Sequence, residues 1–302
     1  MAGAVAQISR YVGRFAPSPT GPLHLGSLTA ALASWVDARA HGGEWLLRIE
    51  DIDPDREQPG ADKLIVESLR THGLRWDGPI TYQSRRSREY DSALDLLRKK
   101  QRLYACTCTR KKLRELALKS DKRAYPGICR ELAYAEGTSA LRLRVTDVEQ
   151  LCFKDAVCGE VCEVVAETTG DFIVRRRGPL YAYQLAVVAD DALQRVTHVV
   201  RGADLLDNTA RQIVLQRALG YPQPEYLHVP VITQGQKKLS KQTGAPALDN
   251  SKALVNLSDA WSFLGQQMPD KTQSSTIDNF LTFAVSHWKR HCIGNISIAV
   301  QN

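Results

Sequence analysis

The sequence predicts an α/β fold: a doubly wound parallel sheet, interrupted by an insertion and followed by a short, mainly helical C-terminal region. Three observations predict it. A strand, a Pro/Gly-rich turn and a helix open the chain and lead into a second strand, which is the order of a βαβ unit. A cysteine-bearing, β-rich texture then replaces that alternation from Tyr104 to about Thr168. After it, apolar strand patterns return together with a helix that stops at Gly220.

The elements follow in order. Tyr11 to Ala16 reads as a buried strand and Pro17 to Gly26 as a tight turn. Leu28, Ala31, Leu32, Trp35 and Val36 repeat at helical spacing, which predicts a helix over Ser27 to Arg39 that ends before Gly42 and Gly43. Trp45 to Glu50 completes the unit, and helices are expected near Ala61 to His72 and Arg88 to Gln101. The sheet is expected to resume at Asp171 to Val174 and Tyr183 to Val188, continue through Thr197 to Arg201, and be covered by a helix over Thr209 to Leu219. The divisions are thus 1–103 and 169–226 for the two halves of the sheet domain, 104–168 for the insertion, and 227–302 for a lysine loop and helical tail. In the tail, Phe280, Phe283, Ala284 and Trp288 form an amphipathic piece.

The chain has 302 residues and a formal charge of +7, enough length for a stable core and a mild basic excess that suits a polyanionic partner. It holds no run of eighteen apolar residues, and its start does not follow a signal-peptide pattern, so a soluble cytoplasmic monomer is expected. Asp51, Asp53 and Asp55 do not form a calcium loop, because position six would be Arg56 rather than glycine and Pro54 restricts the backbone; a solvated, capping turn is expected instead.

Two distant stretches carry the chemistry. In the first, Pro17-Ser-Pro-Thr-Gly-Pro-Leu-His24-Leu-Gly26-Ser27, the helix start presents backbone amides and the positive end of its dipole to an anion. Gly26 permits close approach, and His24 can donate to a phosphate oxygen. In the second, Lys238-Leu-Ser240-Lys241-Gln242, two ammonium groups between Gly235 and Gly244 suit a triphosphate whose charge moves toward departing pyrophosphate. Alone, the first is equally a proline-rich entry to a core helix and the second a solvated basic loop.

Together they resemble the two signatures of class I aminoacyl-tRNA synthetases, with Ser27 and Gln242 in place of the usual last residues. Arg14-Phe-Ala-Pro-Ser18-Pro-Thr-Gly, Arg48-Ile-Glu50-Asp-Ile-Asp53, Asp190-Asp191 and Val199-Val-Arg201-Gly-Ala-Asp204 narrow the resemblance to the glutamyl branch, over about Arg14 to Leu248. The resemblance implies the class I Rossmann-like catalytic fold. It implies ATP contacts from His24, Gly26, Ser27 and Lys241, catalysis by His24, Lys238 and Lys241, and Mg2+ accompanying the ATP. It also implies glutamate contacts from Arg14, Phe15, Ala16, Pro17, Ser18, Glu50, Tyr183 and Arg201. Charge supports that substrate: a guanidinium binds a side-chain carboxylate, and Glu50 can pair with the substrate ammonium.

Seven cysteines in a chain of this length suggest metal binding or free thiols rather than a cross-linked framework. Cys106-Thr-Cys108 followed by Tyr125-Pro-Gly-Ile-Cys129 offers three thiolates and a phenol; spacing alone leaves a metal site and buried free cysteines both open. In one branch of the glutamyl-type enzymes a cysteine-cysteine-tyrosine-cysteine site holds one structural zinc, and the resemblance implies the same here. Cys152, Cys158, Cys162 and Cys292 are assigned to packing.

Only 61 residues follow Lys241 in the 302-residue sequence, too few for the anticodon-reading domain of an ordinary glutamyl-tRNA synthetase. The pattern therefore resembles the glutamyl-Q tRNA(Asp) synthetases, a truncated family sharing Lys-Leu-Ser-Lys-Gln and the tyrosine-containing cluster. That resemblance implies transfer of activated L-glutamate to the cyclopentenediol of queuosine, at the first anticodon position of tRNA(Asp), a single-stranded RNA target. Two other readings are a short synthetase charging the tRNA 3′ end and a catalytically silent RNA-binding paralogue.

Overall fold

The computed structural model describes residues 10–120, 124–137, 139–145, 150–234, 237–238 and 246–294. The opening βαβ unit is β1 (Val12–Phe15), α1 (Leu25–Ala40) and β2 (Glu44–Ile49), followed by α2 (Ala61–Thr71), β3 (Thr81–Tyr82) and α3 (Ser87–Lys99). Next come β4 (Leu103–Cys106), α4 (Arg110–Ser120), β5 (Ala140–Leu143), β6 (Leu151–Asp155), β7 (Gly159–Glu163), α5 (Val165–Thr168) and β8 (Ile173–Arg175). The chain closes with α6 (Tyr183–Leu193), β9 (His198–Gly202), α7 (Leu206–Leu219), β10 (Glu225–Val229), the hairpin β11 (Thr233–Gln234) and β12 (Lys237–Lys238), α8 (Ala253–Phe263) and α9 (Ile277–His287).

β1, β2 and β3 pair in parallel, as do β9, β10 and β6, and β7 adds an antiparallel edge beside β6. The two groups meet where β9 lies against β1: the Thr197 amide donates to the Val12 carbonyl at 2.9 Å, and the Val12 amide donates to Thr197 Oγ1 at 2.9 Å. Strand order reverses at that seam, so a crevice is expected beyond the carboxyl ends of β1 and β9. β4, β5 and β8 form a separate antiparallel sheet.

Side chains alternate across the strands. Tyr11, Phe15, Trp45, Leu47 and Ile49 pack with α1, α2, α8 and α9, whereas Val12 and Leu46 pack with α3, α6 and α7. Helices thus cover both faces, and the apolar residues of the tail, Phe280, Phe283 and Ala284, are buried in the first of these cores.

Three expectations are corrected. Tyr183 to Val188 is the start of helix α6 rather than a strand, because the apolar run continues through Ala189 to Leu193 and so exceeds strand length. The strand expected at Asp171 to Val174 is β8, and it joins the small antiparallel sheet instead of the parallel one. Within the segment 104–168, expected as an insertion, β6 extends the parallel sheet next to β10. Cys152 and Cys162 are not packing residues: they face each other across β6 and β7 and form a disulfide. β10 carries no clear strand signal in the sequence, because Pro222, Pro224 and Pro230 flank it.

The C-terminal segment is fastened to α1 through one buried carboxylate. Asp37 accepts from the Tyr11 hydroxyl at 2.5 Å, Trp288 Nε1 at 2.8 Å, and Arg290 Nε and Nη2 at 2.7 and 2.9 Å. Burial pushes its carboxyl up, but these donors, led by Arg290, outweigh burial and hold it below the usual range. Arg290→Ala is expected to cost roughly 2 kcal/mol, less than for a fully buried pair because Arg290 is partly exposed. Urea denaturation monitored by circular dichroism checks this; an unchanged midpoint contradicts it.

Candidate active site

The seam between β1 and β9 opens into a cleft of about 870 Å3. Arg14, Phe15, Ala16, Pro17 and Ser18 enter it from the end of β1, and His24, Gly26 and Ser27 from the start of α1. Glu50 comes from the end of β2, Tyr183 from the start of α6 and Arg201 from the end of β9. The turn is held in place by the Glu50 amide, which donates to the Pro17 carbonyl at 3.0 Å.

Helix α1 begins two residues earlier than the spacing suggests, because His24 and Ser27 cap it reciprocally. The Ser27 amide donates to His24 Nδ1 at 3.3 Å, and the His24 amide donates to Ser27 Oγ at 2.8 Å. An acceptor role at Nδ1 leaves the proton of a neutral ring on Nε2, a donor suited to an anion. Helix geometry gives the amides of Leu25 and Gly26 no intrahelical acceptor. A Cβ on Gly26 would lie 3.2 Å from Cε1 and Nδ1 of His24, so glycine is needed for the imidazole to keep its place.

Behind the cleft lies a buried ionic network in which Arg14 and Glu50 meet Arg48, Asp190 and Asp191, three residues the sequence did not single out as site residues. Arg48, fully buried, donates from Nη1 to Asp191 at 2.7 Å and to Gln194 at 2.8 Å, and from Nη2 to Glu50 at 3.3 Å. Arg14 Nε donates to the same Asp191 at 3.1 Å. Asp190 accepts from Tyr90 and Gln83, each at 2.8 Å, and from Arg86 at 2.5 Å. Burial raises the Asp191 carboxyl, yet Arg14 and Arg48 together hold it below its ordinary range. Glu50 goes the other way: burial outweighs Arg48 and Arg14, and its carboxyl is raised. Tyr183 is likewise raised, by burial first and then by Glu50. The sequence signal for this network is charge in apolar company, an arginine within Trp45-Leu-Leu-Arg-Ile and two aspartates within Val187-Val-Ala-Asp-Asp-Ala.

Arg201 is anchored on every side. Nε donates to His228 Nε2 at 3.1 Å, Nη1 to Gln212 at 2.8 Å, and Nη2 to Thr209 Oγ1 at 2.9 Å and the Leu205 carbonyl at 3.3 Å. Of the five N–H groups of a guanidinium, these bonds leave one, on Nη1.

Lys238 is the last residue of β12, and its side chain lies outside the described set; Ser240, Lys241 and Gln242 lie outside the described residues altogether. Asp51 accepts from the Ser84 amide at 2.9 Å and the Ser84 hydroxyl at 2.6 Å, while Asp53 pairs with Arg56 at 2.6 Å and Arg176 at 3.1 Å.

The structure brings Cys106, Cys108, Tyr125 and Cys129 together. The three sulfurs lie within 4.8 Å of one another, Cys108 and Cys129 at 3.5 Å, and the Tyr125 hydroxyl is 3.6 Å from Cys106 Sγ and 3.7 Å from Cys108 Sγ. A tetrahedral zinc with bonds of ~2.3 Å to sulfur needs ligands roughly 3.8 Å apart, so the four groups fit such an ion. Burial pushes the Cys106 thiol up, but a 3.2 Å bond from Arg142 Nε and one from Tyr125 bring it down to about 7. Burial raises Cys108 to about 11, and also raises Tyr125.

Residues 11–260 match the model of the class I tRNA synthetases (E and Q), catalytic domain. A glutamyl-Q tRNA(Asp) synthetase of Pseudomonas paraeruginosa is 49% identical over 281 residues, covering 93% of this chain and 94% of that protein. The corresponding protein of Verminephrobacter eiseniae is 49% identical over 293 residues, covering 94% and 99%. The chain belongs to the glutamyl-Q tRNA(Asp) synthetase family of class I tRNA synthetases. It is therefore a ligase. A glutamate tRNA ligase from Elizabethkingia meningosepticum, crystallised with its amino acid, shares the fold at a TM-score of 0.80 and 24% identity, covering 95% of this chain and 66% of that one. Among the described residues no helix is long and apolar enough to cross a membrane.

Proposed function

We propose that the chain activates L-glutamate with ATP and Mg2+ and transfers the glutamyl group to the queuosine cyclopentenediol of tRNA(Asp). One observation carries the first half: Arg14, Glu50, Tyr183 and Arg201 line the same cleft as the His24 cap of α1. The relatives that match nearly end to end, named as glutamyl-Q tRNA(Asp) synthetases, support the second half.

In this reading Glu50 pairs with the substrate ammonium and Tyr183 walls the niche. The side-chain carboxylate takes the remaining Nη1 N–H of Arg201 and the N–H groups of Arg14 that Asp191 leaves, rather than one bidentate fork. Phe15 to Ser18 form the floor. The substrate α-carboxylate oxygen attacks the α-phosphorus of ATP; the bond to the bridging oxygen breaks, and pyrophosphate leaves with its electron pair. His24, the first-turn amides including those of Gly26 and Ser27, Lys238, Lys241 and Mg2+ stabilise the charge that develops on phosphate. A queuosine hydroxyl oxygen then attacks the acyl carbon, AMP departs, and the hydroxyl proton passes to solvent. Cys106, Cys108, Tyr125 and Cys129 hold a structural zinc, which supplies cross-linking of β4 to the loop before β5.

Labelled glutamate transferred to tRNA(Asp) is expected to stay on the tRNA after its 3′-terminal nucleotides are trimmed, and to be absent from tRNA lacking queuosine. Loss of label on trimming would make the enzyme a 3′-end synthetase instead.

Because burial raises the Glu50 carboxyl, it takes up a proton at a higher pH than an exposed glutamate as pH falls. The KM for glutamate should therefore rise on acidification from above the ordinary carboxylate range. Glu50→Gln should raise that KM by at least about 30-fold and remove the acid limb. Pyrophosphate-exchange kinetics across pH measure both; a pH-independent wild-type KM contradicts the assignment.

Elemental analysis of the purified protein should give one zinc per chain, and Cys129→Ser should lose most of it with a lower melting temperature. Full zinc content in that variant contradicts the ligand set.

A further inference from the structure

Two buried ionisable groups close to the cleft, a histidine and an aspartate, are used by no step above. His228, on β10, is fully buried, and Asp155, at the end of β6, is 1% exposed. His228 Nδ1 lies 2.7 Å from Asp155 Oδ2, and the same carboxylate accepts the amides of Val157, Cys158 and His228 at 3.0, 2.9 and 3.1 Å. Acceptance from so many donors keeps Asp155 charged, and burial is outweighed in its carboxyl. The carboxylate therefore takes the Nδ1 proton, which leaves the lone pair of a neutral imidazole on Nε2. That lone pair receives the Nε–H of Arg201 at 3.1 Å.

We propose that His228, oriented by Asp155, is a positioning residue for glutamate binding: it fixes the rotation of the Arg201 guanidinium so that its remaining Nη1 N–H meets the substrate. This rests on the reading of Arg201 as a glutamate contact. Three observations carry it beyond a structural pair. Gln212 and Thr209 hold the two Nη atoms from α7, whereas His228 alone among the described bonds holds Nε, the atom about which the fork would otherwise swing. The ring accepts from a cation, so it must stay neutral and in one tautomer, and Asp155 enforces that tautomer. Three of the four groups around the guanidinium come from α7 and β10, elements that also line the cleft, and the fourth, the Leu205 carbonyl, comes from the single 3-10 turn that joins β9 to α7.

The test compares the wild type with His228→Gln, His228→Asn, His228→Leu and Asp155→Asn in glutamate-dependent ATP–pyrophosphate exchange with tRNA(Asp) present, together with melting temperatures. The glutamine amide oxygen reaches toward Arg201 as Nε2 does. The shorter asparagine amide can serve Asp155 but not Arg201. His228→Asn and His228→Leu should raise the glutamate KM about 10- to 100-fold, the range for losing a hydrogen bond to a charged group, while the ATP KM stays within about 2-fold. His228→Gln should recover to within about 5-fold of wild type. Asp155→Asn, whose amide can donate to Nδ1 and so reverse the tautomer, should behave like His228→Asn. The Gln and Asn variants differ by one methylene, so their comparison stands even if the leucine variant does not fold. A wild-type glutamate KM in His228→Asn overturns the proposal, as does an equal fall in stability and kcat with unchanged KM in both amide variants. Absence of glutamate-dependent exchange in the wild type sinks the glutamate reading itself, which separates the two failures.

Discussion

The site depends on one carboxylate shared by two guanidiniums. Asp191 sits on α6, in the core layer under the seam, and binds Arg14 from β1 and Arg48 from β2. Isolated charges at this depth would be severely penalised by lost hydration, and only mutual pairing makes the arrangement tolerable. Arg14, Arg48 and Arg86 balance Asp190, Asp191 and Glu50. The network behind the cleft is thus balanced in formal charge, three guanidiniums against three carboxylates. The same contacts set the distance between β1, β2 and α6, so the catalytic geometry and the packing of the first core layer are one constraint.

That constraint was only partly legible. β1, α1 and β2 could be read because each carries a local signal: alternation or apolar spacing, punctuated by Pro17, Pro19, Gly26, Gly42 and Gly43. The cleft residues on those elements follow from βαβ geometry, and Arg14, His24 and Glu50 do line one cleft. Tyr183 reached the same cleft by another route. It was expected on a strand, and it lies at the first turn of α6, with Asp190 and Asp191 seven and eight residues later on the same helix. A short apolar run does not distinguish the two states, and tertiary packing decided. The partner of Arg48 was unreadable for a different reason: contacts between β2 and α6 span more than a hundred residues, and no local pattern encodes them.

The cysteine cluster shows how spacing and geometry divide the work. Spacing brought Cys106, Cys108, Tyr125 and Cys129 to attention, but a phenol is a poor ligand until something stabilises its anion. In the structure the Arg142 guanidinium lies 3.8 Å from the centre of the Tyr125 ring and donates to Cys106. Its Nη1 also donates to the Asp171 carbonyl at 2.6 Å, and the Asp171 side chain binds Tyr104 and Arg130. One arginine therefore ties the thiol cluster to Asp171, two residues before β8. β8 leads to Arg176, which pairs with Asp53 beside the Glu50 strand end.

The segment expected as an insertion reaches the side chains behind the cleft. The hairpin of β6 and β7 looks from its sequence like part of an insertion, yet β6 meets β10 through a single backbone pairing at Asp155 and Tyr226. So short a ladder contributes few hydrogen bonds, and the Asp155 carboxylate adds what the backbone does not, gripping His228 by both its ring and its amide. The consequence runs along the sheet. β10 is held to β6 on one side and to β9 on the other, and the side chain that closes the first junction also receives Arg201 from the second. Register in this part of the sheet and orientation of the Arg201 guanidinium are consequently not separable: a slip of β10 by one residue would reverse the face of His228 and take its ring away from both Asp155 and Arg201.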